Sequence, residues 1–366
     1  MNYPSAGRAI AQARHSDNSA RGRGAGRVRH GRGWALTLVA LAALALVPFT
    51  GVNDSMLLTM STIFMWIILS SSWNIISGFT GYVDFGHGVF FGIGGYVAGI
   101  LMAKSGFSFA PTVPLAVLVS AAVALVIGYP LLRLRGVYFS IAMLGLFLAT
   151  RELALIAKPL TAGAQGLILP SDVDRFFFYY LFLVGAILVV ALVWRLRRSQ
   201  FGLSLLAIKD DEYGAEARGV NTTLLKLTAF CLSAAITGAV GACWAYEVTF
   251  IDPGILFRDS FLINVAIMAT LGGLGTVWGP VIGSVVFLSV RDTLWANQGT
   301  SFLVVFGVSL IVLVLFMPEG IVGTIQRGER TVMGRLIRRL RHKGPSHGDT
   351  SRPAAAVAPA RIVSND

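Results

Sequence analysis

Apolar positions in this chain come in long unbroken stretches, without the two-residue or three-to-four-residue rhythm of half-buried strands and helices. Ten stretches can be marked off between Trp34 and Pro318, at about 34–50, 56–76, 88–104, 111–131, 137–157, 176–194, 224–247, 260–279, 280–297 and 301–317. Each approaches the ~20 residues with which an α-helix crosses the hydrocarbon core of a bilayer. The pattern predicts an all-α polytopic membrane protein of about ten transmembrane helices. The two runs that meet at 279/280 can also be read as one bent or re-entrant element, because broken backbone is tolerated at membrane depth when protein surrounds it.

The longest polar interruption inside this array runs from Arg195 to Lys226. It holds Arg195, Arg197, Arg198, Lys209, Arg218 and Lys226 against Asp210, Asp211, Glu212 and Glu216. Ser199 or Gln200 can start a short helix, with Leu203, Leu206 and Ala207 as its apolar face. Asp210, Asp211 and Glu212 then open a second, where acids suit the positive end of the helix dipole. Gly219 can stop it in a left-handed cap, and Asn221 or Thr222 can cap the next span. A helix lying on lipid would carry Lys and Arg on its polar face. The acid triplet predicts a different neighbour, a cytosolic partner with a basic groove.

Charge orients the array. Only 13 % of residues are charged, against about 25 % in soluble domains. The net charge of +12 lies entirely in the tails: +6 in residues 1–33, +6 in 324–366 and zero between. Basic tails alone could suggest nucleic acid. The positive-inside rule accounts for both tails at once, so the expected partner surface is membrane lipid and no nucleic acid. Both termini are then cytoplasmic, with 77–87, 132–136, 195–223 and a turn near Gly279 on the same side. The tails, rich in Gly, Arg, Ala and Pro, are predicted to be disordered. The first apolar run has a signal-like look, but the basic region before it is unusually long for one. Cys231 and Cys243 share one apolar run and read as packed thiols.

Glycine spacing adds detail. Gly88, Gly92, Gly95 and Gly99 line one predicted helix, and Gly275, Gly279 and Gly283 another. Small residues at this spacing let helix backbones approach closely in lipid. Both sets adjoin stretches with helix breaks, Gly78 to Gly88 and Gly272 to Pro280. Paired interrupted segments point to an internal repeat around a pathway. Asn74, Asp84 and His87 are the polar groups at the first break and are candidates for a pathway or gate. Asp84 can equally cap the start of the third span. Asn74 and Asn264 suit hydrogen bonds between helices. The outer segments 158–175 and 247–259 can meet a partner or stand as solvated loops.

Several chemistries are excluded. None of the five lysines follows a glycine, so the Gly-Lys-Ser/Thr ending of a nucleotide-binding loop is absent. Any nucleotide is bound by another chain, and no cofactor is expected in this one. His87 is the sole histidine between the tails, which rules out a histidine metal site. No nucleophile and base can be paired, so no catalytic residue is assigned and the chain is not an enzyme. Arg151-Glu152 and Arg291-Asp292 sit near span ends, where long side chains snorkel. The shortage of deep carboxylates counts against a stand-alone secondary carrier.

Several blocks together resemble the permeases of branched-chain amino-acid ABC importers, of the LivM type. They are Trp73 to Gly81, Gly86 to Tyr96, Leu134 to Ile141, Leu160 to Leu167, Phe201 to Phe230, Leu271 to Pro280 and Pro318 to Gly323. They span roughly 55–325, in order and at family spacing. The resemblance implies a type II-like ABC importer permease fold in the bacterial inner membrane. It implies import of branched-chain amino acids, driven by ATP on partner subunits. The implied partners are a second related permease subunit, two cytosolic ATPase subunits and an extracytoplasmic amino-acid-binding protein. The chain then divides into a tail at 1–33, a permease domain at 34–323 with a coupling loop at 195–223, and a tail at 324–366. In the coupling loop, Asp210, Asp211, Glu212, Ala215, Glu216 and Gly219 are the expected ATPase-coupling residues. The loop departs from the family's Glu-Ala-Ala start: Tyr213, Gly214 and Ala215 stand at those positions, and the acid falls one residue earlier, at Glu212. A urea or short-amide permease is the alternative within the family, and a stand-alone carrier the alternative outside it.

Overall fold

The computed structural model describes residues 42–51, 53–170, 174–298, 307 and 320–324. Helices dominate because lipid offers no partner to an open backbone, so each apolar run must satisfy its own amides and carbonyls. In chain order the long helices are α1 (Asp54–Trp73), α2 (His87–Ser105), α3 (Phe109–Leu131), α4 (Val137–Ile156) and α5 (Arg175–Arg198). Two short helices follow, α6 (Gln200–Asp210) and α7 (Glu212–Ala217). Then come α8 (Thr222–Val248), a single turn α9 (Pro253–Leu256), α10 (Asp259–Gly272) and α11 (Gly279–Gln298).

Among the described residues, seven helical segments are long and apolar enough to span a membrane: 54–78, 87–105, 109–131, 137–156, 175–198, 222–248 and 253–272. The protein is therefore an all-α polytopic membrane protein. The expected run at 301–317 lies outside the described residues, as does most of the run at 34–50. The expected join at 279/280 is a six-residue break instead, from Gly273 to Trp278. Its glycines explain the position: Gly273 has φ 122° and Gly275 φ 75°, conformations that residues with a Cβ rarely adopt. By itself α10 rises only about 21 Å. It gains span length by following α9 closely.

The 27-residue α8 is central, packed against α2, α3 and α1. The backbones of α2 and α8 approach closely. A methyl on Gly94 would run into the backbone of Gly238, and one on Gly241 into the carbonyl of Phe91. Beside that crossing Ala98, Ala116 and Ala242 are fully buried. The stripe Gly88, Gly92, Gly95 and Gly99 faces elsewhere. It receives Phe147 and Leu262, Phe257, Leu256 and Ile251 respectively, so it seats side chains of α4 and of the stretch 251–262. Gly279 and Gly283 serve the α10–α11 pair, where added methyls would meet the carbonyls of Gly273 and Met268.

The segments 158–175 and 247–259 find each other. Leu167–Ile168 and Phe250–Ile251 form a two-residue antiparallel ribbon, with Leu167 opposite Ile251. α3 and α4 are the least enclosed spans, with only 22 % of each buried against 61 % in α1 and α2. They present Val126, Tyr138 and Ile141 outward, a surface suited to lipid or another apolar helix.

Candidate functional site

The polar island folds into a capped projection. Three arginines end α5, where cations complement the carbonyl end of the helix. Ser199 Oγ accepts from the Gly202 amide at 3.1 Å and starts α6. Gly202 lies so close to the Leu196 carbonyl that no Cβ would fit, which allows the chain to reverse tightly. The buried face of α6 is Gly202, Leu205 and Ile208. The expected apolar face is met in part: Leu206 is half-buried against the core, while Leu203 is 59 % exposed and Ala207 is exposed. At the far end, Gly219 takes φ 83°. Its amide donates to Glu216 O at 2.9 Å and the Val220 amide to Ala215 O at 3.1 Å, the paired bonds of a Schellman stop. Asn221 Oδ1 accepts from Leu224 N at 3.0 Å and starts α8.

The acids divide between two directions. Asp210 and Asp211 are exposed. Glu212 turns inward and accepts from Tyr82 Oη at 2.6 Å and Lys226 Nζ at 2.7 Å. Lys226 is only 2 % exposed. Its ammonium also donates to Tyr82 Oη at 3.0 Å and to the Leu132 carbonyl at 3.2 Å. All three ammonium protons are thereby placed, and the charge lies 4.4 Å from the Tyr82 ring centre. Burial and the Glu212 carboxylate push the Tyr82 phenol up, so it stays a donor. Glu216 accepts from Thr222 Oγ1 at 2.7 Å and Arg135 Nη2 at 3.1 Å. The Thr222 hydroxyl, then Arg135, hold its carboxyl below the ordinary range. Arg135 stacks on Tyr213 at 4.2 Å.

A second anchor reaches the glycine blocks. Lys209, on α6, donates to Gly78 O at 2.9 Å, and desolvation pushes the pKa of its amine down. Gly78 ends a π turn, Asn74–Gly78, that continues α1. Such turns insert a residue into a helix and recur at functional sites. The Asn74 amide spans the two blocks: Nδ2 donates to Thr276 O at 2.9 Å and Oδ1 accepts from Gly275 N at 2.8 Å. A methyl on Gly78 would overlap the Asn74 carboxamide and sit 2.7 Å from Gly275 N. Two stretches nearly two hundred residues apart therefore meet on glycine, within reach of Lys209 on α6.

Asp84 and His87 form a separate, fully buried knot. Asp84 Oδ1 accepts from Gly86 N at 2.8 Å, and Oδ2 lies 3.2 Å from His87 Nδ1. The carboxylate thus closes the turn before α2 and orients the imidazole. His87 Nε2 stands 2.6 Å from Thr237 Oγ1 on α8 and 3.4 Å from Ser72 Oγ on α1. Ser72 and Ser233 exchange hydroxyl-to-carbonyl bonds at 2.8 and 2.7 Å. Trp73 Nε1 donates to Asp84 O at 2.8 Å. In lipid such bonds tie helices together. Asn264 is half-buried on α10, and its side chain makes no hydrogen bond among the described residues.

Sequence reasoning missed Tyr82, Lys226, Arg135, Ser72, Ser233 and Thr237. The available signal was a polar residue inside or beside an apolar run, which must find a partner; which partner depends on the fold. Among the described residues no three acid, histidine or cysteine side chains converge in a way that would hold a metal.

Residues 55–316 match the family model described as branched-chain amino acid transport system, permease component. The LivM permease of the high-affinity branched-chain amino acid transport system of Salmonella typhimurium is 30 % identical over 319 residues, covering 78 % of this chain and 74 % of that protein. The Escherichia coli LivM is 30 % identical over 322 residues with the same coverage. The BraD permease of Pseudomonas aeruginosa is 24 % identical over 70 % of this chain and 91 % of its own. No solved structure matches significantly.

Proposed function

Because the chain belongs to the branched-chain amino-acid transport permease family, we propose that it imports branched-chain amino acids as one membrane subunit of an ABC transporter. It is a multi-pass protein of the bacterial inner membrane. The observation that carries the coupling part of this reading is the α6–α7 projection, which is capped at both ends and fastened to the junction of the two glycine blocks. In our reading a cytosolic ATPase docks on its outer side, at Asp210 and Asp211, while Glu212 holds its inner side and Glu216 ties its end to Thr222 and Arg135. ATP stays on the two ATPase chains and this chain carries no cofactor. A second related permease and an extracytoplasmic amino-acid-binding protein complete the assembly. The fold is of the type II-like importer kind with about ten helices, and both termini face the cytoplasm. Asn74, Asp84 and His87 are assigned to the gate's framework, because their polar atoms are already engaged by neighbours.

The test is uptake in cells lacking their own branched-chain importers, with this chain expressed beside its partner subunits. Labelled leucine, isoleucine and valine accumulate, and excess urea does not compete. Uptake of urea or a short amide with no leucine uptake would move the assignment to the alternative substrate class.

A further inference from the structure

One segment, Gly78–Tyr82, is gripped by two consecutive parts of the coupling projection. Lys209 of α6 holds the Gly78 carbonyl, and its side-chain stem lies against Gly81, whose absent Cβ would be 3.3 Å away. Glu212 of α7 holds the Tyr82 hydroxyl, which in turn meets Lys226 at the base of α8. At its Gly78 end the same segment adjoins the Asn74 bridge to Gly275 and Thr276. The grip is not the ordinary dressing of a surface loop. Lys226 is buried and holds Glu212, Tyr82 and the Leu132 carbonyl at once. An unpaired charge there would be strongly unfavourable. α7 therefore cannot shift without either carrying Tyr82 with it or breaking a buried charge pair.

We propose that Lys209, Glu212, Lys226 and Tyr82 form an internal latch, a set of positioning residues that converts displacement of α6–α7 into movement of the break between the glycine blocks. The inference rests on the importer reading, since it needs a partner that pushes α6–α7. The latch divides the loop's acids into two tasks: Asp210 and Asp211 meet the partner, and Glu212 passes the motion inward. This assigns a function to the acid that falls one residue ahead of the family's usual start. Its place is set by reach to Tyr82 and Lys226, not by contact with the ATPase.

The experiment uses the complete transporter in proteoliposomes, with binding protein, ATPase subunits and second permease, and reads leucine uptake and ATP hydrolysis together. Three variants are compared: Lys226→Met, the neutral pair Glu212→Gln with Lys226→Met, and Lys209→Met. The neutral pair leaves no unpaired buried charge and so keeps the folded assembly, checked by melting temperature and ATPase co-purification. The latch predicts that the neutral pair and Lys209→Met still bind the ATPase and still hydrolyse ATP. Leucine moved per ATP falls roughly tenfold, within the range typical of coupling between sites. Wild-type uptake per ATP in the neutral pair, with a defect confined to Lys226→Met, would show that Lys226 merely neutralises Glu212 and would overturn the latch. Loss of ATPase binding in the neutral pair would also overturn it, by placing Glu212 in the docking surface. Failure of the wild-type complex to move leucine would refute the importer reading instead, and is seen in the same assay.

Discussion

Single residues decide more of this molecule than its apolar composition suggests. Asn74 supplies both halves of one amide to a backbone that has lost its own helix partners at Gly275 and Thr276. Asn74→Leu keeps much of the volume and strands an N–H and a carbonyl, each costing about 1–3 kcal/mol when buried. A clearly lowered melting temperature in detergent is expected; an unchanged one would mean that water already serves these groups. Glu216 gives a pH test. Its carboxyl is held down by Thr222 and Arg135, so the contact stabilises the loop above the ordinary carboxylate range and is lost as pH falls through it. Hydrogen exchange at residues 216–224 should therefore rise below about pH 4, and Glu216→Gln should remove that dependence. None of these pairings was legible beforehand. Lys226 stood in the sequence as one base among six, and nothing local distinguishes a buried lysine with three acceptors from a solvated one.

Whole elements were easier to read, and the departures from expectation have local causes. Ser199, Gly219 and Asn221 mark α6, α7 and α8 from sequence because capping depends on residues a few positions apart. The buried face of α6 was legible only in part: Leu206 packs on the core as expected, but Leu205 and Ile208 are buried where Leu203 is not. The glycine stripe on α2 was legible as a packing surface. Its partner was not, because Phe257 and Leu256 come from a turn after α8 that no periodicity predicts. A tight crossing that the stripe does not mark belongs to Gly94, Gly238 and Gly241. Gly94→Ala should cost about 1–3 kcal/mol as overpacking, read as a lowered melting temperature. Gly145, where an added methyl would meet only open space, should tolerate Ala with no loss. On the exposed side of α6–α7, replacing Asp210 and Asp211 with Lys should reduce ATPase co-purification and uptake together. The latch variants should reduce uptake alone. The contrast between those outcomes separates docking from transmission.

At the scale of the whole molecule, long apolar runs establish the class and charge distribution predicts its orientation, because both are properties of the chain's solvent more than of its fold. The meeting of the two glycine blocks is different. It is a contact between residues about two hundred positions apart, and the sequence showed only that both blocks are broken. Orientation has its own check: a cysteine placed in either tail should react with an impermeant maleimide only from the cytoplasmic side. The most direct test of the central claim is leucine uptake into proteoliposomes holding this chain, with and without its ATPase subunits. Leucine should accumulate only when the ATPase, its partner permease, the binding protein and ATP are all present. Leucine transport by this chain alone, indifferent to ATP, would contradict the account.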